Sequence, residues 1–295
     1  MSSHASTQTI ALGQSVLIIM NTIRSAIYVF EKVHGHDYEK FYLSAEVLPV
    51  ERQQRIKAIS NRLEKRQRTI LISTQVVEAG VDFDFDIVIR DIAPIDSIVQ
   101  AAGRCNRHGL RPREDPPVHI FDVYDEKNNS FAPRIYGNYL IEKTRETFRE
   151  AESRIFGGDL RLSELVDIYY HKVKKGRSKQ ASNDVLTEMK KLNYDDLKFK
   201  VVEDEPSISI FIEINDEAEN VWQEYQAITK IVDVVQKGKR LRSFFRVKRH
   251  IFYNYVISSY PEIVERLGIQ FEKPFFYVEK RLLSNYYNVT GLKRN

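Results

Sequence analysis

Several features of other protein classes are missing from this sequence of 295 residues. It holds one cysteine, Cys105, which excludes an internal disulfide and suits a reducing cytoplasm. No apolar run approaches the roughly 18 residues that a membrane-spanning helix needs. Met1 to Gln14 also lacks the charged and apolar pattern of a secretion signal. The sequence therefore predicts a cytoplasmic protein with no membrane partner.

Neither sign of charge dominates. Lys and Arg number 45 against 41 Asp and Glu, a formal net charge of +4, so any nucleic-acid site has to be local. No Gly-x-x-x-x-Gly-Lys-Ser/Thr loop occurs in the sequence. The nearest candidate is Gly238-Lys239, but Arg240 follows it and the first glycine is missing. The chain therefore has no loop that could cradle the β- and γ-phosphates of a nucleotide.

Two acidic or histidine-containing stretches could suggest a metal site. Asp216 to Glu219 resembles a magnesium-binding acidic box, but an acid-rich helix start explains it better. His34 to Asp37 resembles a nuclease metal pair, but the further His and Asp ligands are not present upstream, and a polar loop explains it better. We therefore predict no metal site.

Apolar and amphipathic segments alternate through the first 125 residues. Helices are predicted at 24–33, after Pro49 and from Ile95, and strands at 16–20, 41–44, 69–73, 85–89 and 118–122. Such alternation implies an α/β fold with a parallel sheet and right-handed crossovers.

The stretch from Ser73 to Gly109, STQVVEAGVDFDFDIVIRDIAPIDSIVQAAGRCNRHG, is the most informative one. Gln100, Arg104 and Arg107 would share one polar face if the helix from Ile95 continues through them. Arginines suit a phosphoryl-transfer site, which needs fixed positive charge. The alternative interpretation is a solvated basic helix end that the helix dipole favours.

Four further residues of this stretch suit nucleotide or nucleic-acid contacts. Ser73 and Thr74 follow a buried strand, at the edge where α/β sheets bind ligands, and their hydroxyls suit a phosphate backbone. Gly80 allows positive φ or close approach, and Asp82 could accept a hydrogen bond from a ribose hydroxyl. Taken singly, Gly80 fits an ordinary turn better and Asp82 an ordinary loop acid, but together at this spacing they are specific.

The remainder of the chain is less specific. Residues 126–180 are predicted as a helical linker, with helices at 135–156 and 160–174 and a basic loop at 171–180. Residues 181–295 are predicted as a smaller α+β accessory domain, with strands at 199–202 and 207–214 and a helix at 218–235.

A basic and aromatic segment, KGKRLRSFFRVKRH, lies within this accessory domain at Lys237 to His250. Arg240, Arg242 and Arg246 could follow a DNA backbone while Phe244 stacks on a base. The alternative is a strand or helix with a buried phenylalanine pair and a solvated charged face.

Three stretches resemble one family, the CRISPR-associated helicase-nuclease of type I systems within helicase superfamily 2. They are Asn21-Thr22 with the helix that follows, Leu43-Ser44-Ala45 with Pro49 and Arg52, and the stretch from Val76 to Gly109. The resemblance implies that residues 1–125 are the second RecA-like helicase lobe with motifs IV, V and VI, and that the first lobe is missing. One departure is Ala101, where many superfamily 2 helicases carry arginine.

The resemblance also implies roles for residues and partners. Arg104 and Arg107 would be arginine fingers, Gln100 a nucleotide-site residue, and Gly80 and Asp82 the motif V elements. Single-stranded DNA would be contacted by Asn21, Thr22, Ser73 and Thr74. ATP and Mg²⁺ would be held mainly by the upstream lobe, and the partners would be that lobe, an HD nuclease domain or subunit, and the Cascade complex.

The expected function is ATP-dependent DNA translocation or unwinding in antiviral defence, with this chain inactive alone. Two alternatives remain open: a non-catalytic module that docks on Cascade or DNA, and the second lobe of another superfamily 2 helicase.

Overall fold

A computed structural model describes residues 14–109, 118–125, 127–156, 161–176, 207–272 and 274–294. By Cα proximity the chain divides into two compact units. The first unit comprises Met1–Asp91, Gln100–Phe121 and Pro206–Asn295, and the second comprises Ile92–Val99 and Asp122–Glu205.

A parallel five-stranded sheet organises the first half of the chain. Its strands are β1 (Val16–Ile19), β2 (Glu39–Leu43), β3 (Thr69–Ser73), β4 (Ile87–Asp91) and β5 (Val118–Phe121), in the spatial order β2-β3-β1-β4-β5. The helices are α1 (Ile23–Lys32), α2 (Pro49–Glu64) and α3 (Ile95–Ala102). All four strand pairs are parallel, so the predicted sheet is confirmed.

Local chemistry explains where these helices begin and what they cover. The Thr22 hydroxyl accepts a hydrogen bond from the Ser25 amide and caps α1. Pro49 starts α2, where its fixed φ and missing N–H are tolerated. Ile56, Ile59 and Leu63 form an apolar stripe on α2 that packs on the core of the sheet, whose members include Leu17, Leu71 and Val88.

The fourth strand lies two residues later than the predicted range 85–89. Phe85 pairs with the turn after α3 instead: its amide donates to the Arg104 carbonyl at 2.8 Å, and its carbonyl accepts from Asn106 at 3.1 Å. Asp86 binds the Ser15 amide and hydroxyl, both at 2.7 Å. Tertiary contacts therefore remove both residues from the sheet.

The second unit contains three further helices, α4 (Ala132–Tyr136), α5 (Asn138–Phe156) and α6 (Leu162–Gly176). The single helix predicted at 135–156 is wrong, because Gly137 has φ of +80° and separates α4 from α5. The basic loop predicted at 171–180 is helical up to Gly176, and residues 177–180 lie outside the described residues.

A mixed four-stranded sheet with flanking helices forms the C-terminal part. In chain order its elements are β6 (Ile208–Ile212), α7 (Asp216–Thr229), α8 (Val234–Tyr253), β7 (Val256–Ser259), α9 (Pro261–Leu267), β8 (Gln270–Glu272) and β9 (Phe275–Val278). The strand order is β7-β6-β9-β8, and β6 pairs with β9 in parallel. A smaller α+β part is therefore confirmed, while the strand predicted at 199–202 lies outside the described residues.

The helix predicted at 218–235 is two helices. Asn215 caps α7 at the acid-rich start that the sequence indicates, with Asp216, Glu217 and Glu219 in its first turn. Asp233 accepts a hydrogen bond from the Gln236 amide at 2.6 Å and starts α8 as a separate helix. The chain therefore turns between the end of α7 at Thr229 and the start of α8 at Val234.

The last residues pack onto the segment that follows β2. After α10 (Leu283–Tyr286), strands β10 (Tyr287–Asn288) and β11 (Gly291–Leu292) form a short antiparallel pair. Arg294 binds both carboxylate oxygens of Glu46, at 3.0 and 2.6 Å, and Ser259 donates to the same carboxylate at 2.9 Å. Glu46 is only 2% exposed, so this C-terminal latch is a buried ion pair.

Within the described ranges, no helix is both long enough and apolar enough to cross a bilayer.

Candidate nucleotide and nucleic-acid site

The turn after β3 places two predicted site residues at the surface. A short 3-10 helix, Gln75–Val77, follows the strand and leads to Gly80, whose φ is +79°. A side chain there would strain the backbone, which explains the glycine. The space around Gly80 is open, with nothing within 4 Å of an added Cβ. Gly80 and Asp82 are both exposed, so this turn can face a ligand.

The predicted continuation of α3 through Arg104 and Arg107 is wrong. The helix ends at Ala102, and Asn106 has φ of +46°. The backbone pairing of Phe85 with the segment 104–106 pulls this part of the chain out of helical register. The two arginines therefore do not share a helix face, and Cys105 lies buried in the turn rather than in the helix.

Arg104 is buried in its own lobe. Its side chain donates to the carbonyl of Val77 at 3.1 Å and to that of Glu78 at 2.7 Å, and the residue is 8% exposed. These bonds fix the turn that carries Gly80. The geometry therefore gives Arg104 a positioning role and does not present it to a ligand.

Arg107 has the opposite environment. Its side chain is 39% exposed, and its Nε lies 3.1 Å from a carboxylate oxygen of Asp82, which is itself 68% exposed. Its backbone amide donates to Asp84 at 2.9 Å, which fixes the chain while the guanidinium stays accessible. An exposed ion pair of this kind contributes little free energy, so an incoming anion can replace it.

The exposed members of the predicted nucleotide set therefore lie on neighbouring turns. Gln100 is exposed on the last turn of α3, while Arg107 and Asp82 form the ion pair. Beside them is a cavity of about 380 Å³ lined by Ser60, Leu63, Glu64, Arg66, Asp82, Asp84 and His108. His108 was missed by sequence reasoning, although it directly follows Arg107.

The residues predicted to contact DNA are brought together at one sheet edge. Asn21 and Thr74 follow the paired strands β1 and β3, and the Met20 amide donates to the Ser73 carbonyl at 2.9 Å. Ser73 is fully buried, and its hydroxyl donates to the Leu43 carbonyl at 2.9 Å. Asn21 and Thr74 are also buried, whereas Thr22 is partly exposed. Contact with DNA through all four residues remains a prediction.

The stacking role predicted for Phe244 is wrong. Phe244 is buried in the aromatic core of the C-terminal part, with its ring 6.0 Å from Tyr225 and 5.9 Å from Phe252. The alternative interpretation, a helix with a phenylalanine pair turned inward and a charged outer face, describes α8 better, with Phe244 buried and Phe245 partly buried. Arg240, Arg242 and Arg246 are exposed on that helix.

A buried polar network, which sequence reasoning also missed, joins the turn after β3 to the carboxyl end of β1. Arg90 in β4 is 0% exposed, and its guanidinium binds Glu78 at 2.8 Å and the Asn21 side chain at 2.5 Å. The sequence signal was present: one arginine interrupts the apolar run IVIRD. Among the residues that the structure describes, no group of three or more His, Cys, Asp or Glu could hold a metal ion.

Residues 12–110 match the family model for the CRISPR-associated nuclease/helicase Cas3, C-terminal. A Thermus thermophilus CRISPR-associated endonuclease/helicase Cas3 is 50% identical over 107 residues, which are 35% of this chain and 12% of that protein. A Methanothermobacter thermautotrophicus CRISPR-associated nuclease/helicase Cas3 is 28% identical over 162 residues, 54% of this chain and 19% of that protein. The matched part therefore spans a fifth or less of these relatives.

Solved structures agree on the fold. The crystal structure of T. fusca Cas3-AMPPNP has a TM-score of 0.55 at 18% identity and covers 88% of this chain and 34% of that one. The crystal structure of T. fusca Cas3 has a TM-score of 0.51 at 20% identity, covering 70% and 28%. The predicted α/β RecA-like fold is thus confirmed. The family match and the curated relatives confirm the resemblance as well: over residues 12–110 this chain is similar to the C-terminal part of Cas3 helicase-nucleases.

Proposed function

We propose that this chain supplies the second lobe of an ATP-driven DNA motor in CRISPR defence, and that Arg107 is its arginine finger. The observation that carries the proposal is the contrast between the two motif VI arginines. Arg104 is bonded to the carbonyls of its own lobe, whereas Arg107 is exposed and pairs with a surface carboxylate, Asp82.

Arg104 and Arg107 have different roles in this proposal. Arg104 holds the turn after β3, and this turn sets the position of Gly80 and Asp82. When a nucleotide binds on a lobe with a phosphate-binding loop, its γ-phosphate supplies the anion that Arg107 can reach in place of Asp82. Fixed positive charge at this position stabilises the developing charge of phosphoryl transfer. Gln100 is also exposed, on the last turn of α3.

The nucleic-acid side of the proposal uses the carboxyl ends of β1 and β3. Thr22 starts α1, and the amides at a helix start together with a hydroxyl suit a phosphate oxygen. The exposed arginines of α8 would add backbone contacts. Hydrolysis would shift the grip on single-stranded DNA, which produces stepwise movement.

Partners and cofactors follow from the family. Cas3 relatives combine nuclease and helicase in one name, and one neighbour of the same fold was crystallised with AMPPNP. We therefore propose ATP with Mg²⁺, held mainly by the first lobe, together with an HD nuclease and the Cascade complex as partners. Cytoplasmic localisation follows from that assembly.

One sequence observation favours a second candidate. Because the sequence has no phosphate-binding loop, the lobe could act as a docking module for Cascade or DNA without taking part in ATP hydrolysis.

Mixing experiments separate the two candidates. The purified chain is assayed for ATP hydrolysis alone and after addition of the first Cas3 lobe, with and without single-stranded DNA. The motor proposal predicts negligible turnover alone and DNA-stimulated turnover in the mixture. Turnover by the chain alone would contradict it, and retained Cascade binding without any stimulation would favour the docking module.

A further inference from the structure

A permanently charged side chain sits inside the lobe, at the centre of the parallel sheet. Arg90 lies on β4, next to β1 in the spatial order, and its side chain is 0% exposed. Burying a guanidinium is expensive unless it is paired and hydrogen-bonded, and an apolar residue in its place is often as stable. Stability alone therefore explains poorly why an apolar strand carries this arginine.

The partners of Arg90 lie in two parts of the lobe, and the proposed function assigns these parts to different ligands. Its Nη2 is 2.8 Å from Glu78, in the turn after β3. Its Nη1 donates to the Asn21 side chain at 2.5 Å and to the Asp91 carbonyl at 2.9 Å. One guanidinium thus joins the turn after β3 to the carboxyl end of β1.

Each end of this connection continues toward a proposed ligand contact. On one side, the Glu78 carbonyl accepts from Arg104, whose backbone leads through the turn to Arg107. On the other side, Asn21 directly precedes Thr22, and the Gln75 side chain donates to the Asn21 carbonyl at 3.0 Å. The continuous path therefore runs from the nucleotide-facing turn to the proposed DNA-facing edge.

We propose that Arg90 is a positioning residue that couples nucleotide binding to the grip on single-stranded DNA. This rests on the proposed function, because it assumes that Arg107 and Thr22 face those two ligands. Movement of the turn that carries Glu78 would reorient Arg90 and with it Asn21, since buried charged hydrogen bonds tolerate little stretching. An inert structural pair would stabilise the lobe without linking the two affinities.

The test measures coupling in the complete motor, with both lobes present. The affinity for single-stranded DNA is determined with and without a non-hydrolysable ATP analogue. In the wild type the analogue should change that affinity by about 5- to 150-fold, the usual range of allosteric coupling. In Arg90→Met this factor should fall to near one, while the affinity measured without the analogue stays within about threefold.

A second variant protects the test against simple unfolding. Glu78→Gln keeps the shape of the side chain but removes the charge that pairs with Arg90, and it should also lower the coupling factor. Arg294→Met is the matched control, because it removes the partner of another buried carboxylate, Glu46, outside this path. The control should retain wild-type coupling.

The outcomes separate the two hypotheses. Wild-type coupling in a folded Arg90→Met or Glu78→Gln variant would overturn the role of Arg90 and leave the motor proposal standing. Equal loss of coupling in Arg294→Met would also overturn it, since general destabilisation would then explain the effect. If the wild-type motor shows neither DNA-stimulated turnover nor an analogue-dependent affinity, the proposed function itself fails.

Discussion

At the scale of single residues, the turn after α3 holds two arginines with opposite surroundings. Arg104→Met would remove the donors for two buried carbonyls and should lower the free energy of unfolding by about 2–3 kcal/mol. Arg107→Met would break an exposed ion pair and should change the free energy of unfolding by less than about 1 kcal/mol. Urea unfolding of the two variants measures the difference, and equal losses would contradict the assigned environments.

Glu213 offers a test of pH dependence. Burial raises the pKa of this carboxyl above its ordinary value of 4.5, although the Tyr277 hydroxyl donates to it. A carboxyl whose pKa is higher in the folded than in the unfolded state stabilises the fold fully at pH values below its unfolded-state pKa. This stabilisation is lost as pH rises through its folded-state pKa. Stability of the wild type should therefore fall relative to Glu213→Gln as pH rises above about 4.5. A constant difference from pH 4 to pH 8 would contradict this.

Sequence reasoning found some of these residues and missed others for physical reasons. Gly80 could be predicted because a positive φ leaves few choices of residue. The partners of Arg90 could not, since Asn21 is 69 positions away in the sequence and many carboxylates and amides compete for one arginine. The DNA-facing role assigned to Ser73 overlooked that its hydroxyl has an internal acceptor.

At the scale of elements, α3 is a helix whose length is set by tertiary contacts and not by the local sequence pattern. Gln100, Arg104 and Arg107 have helical spacing, and the sequence predicts one continuous face. The backbone pairing of Phe85 with the segment after Gly103 ends the helix early. Capping residues such as Thr22 and Asn215, in contrast, act locally and mark helix starts in the sequence itself.

The C-terminal latch is predicted to stabilise the first unit. Arg294→Met would leave the Glu46 carboxylate buried, with Ser259 as its remaining donor among the described residues, and should cost roughly 3 kcal/mol of unfolding free energy. The measurement is denaturant unfolding beside Arg281→Met, which removes an exposed arginine of the same region. An equal, small effect of both variants would show that the ion pair between Arg294 and Glu46 does not stabilise the first unit.

The outer face of α8 is predicted to bind DNA through phosphates. Arg242→Gln with Arg246→Gln should weaken single-stranded DNA binding and reduce the salt dependence by about 0.7 per lost phosphate contact. Lys57→Gln with Lys65→Gln removes equal charge from two exposed positions, one on α2 and one directly after it, and serves as the control. Equal losses in both pairs would indicate a general charge effect rather than a site on α8.

At the scale of the whole molecule, the parallel sheet could be predicted almost completely and the C-terminal part only coarsely. Buried strands such as TILIS alternate with amphipathic helices, and that alternation permits few topologies. The mixed sheet depends on the parallel pairing of β6 with β9, in which each residue lies 66 positions from its partner, as Ile210 does from Phe276. No local pattern marks such a pair.

The central claim is that this lobe completes an active site by presenting Arg107 to a nucleotide held by the first lobe. The most direct measurement is the kcat for DNA-stimulated ATP hydrolysis by the two-lobed motor with Arg107→Ala. We expect kcat to fall about 10³- to 10⁵-fold while the free energy of unfolding stays unchanged. A kcat within about tenfold of the wild type in that folded variant would contradict it.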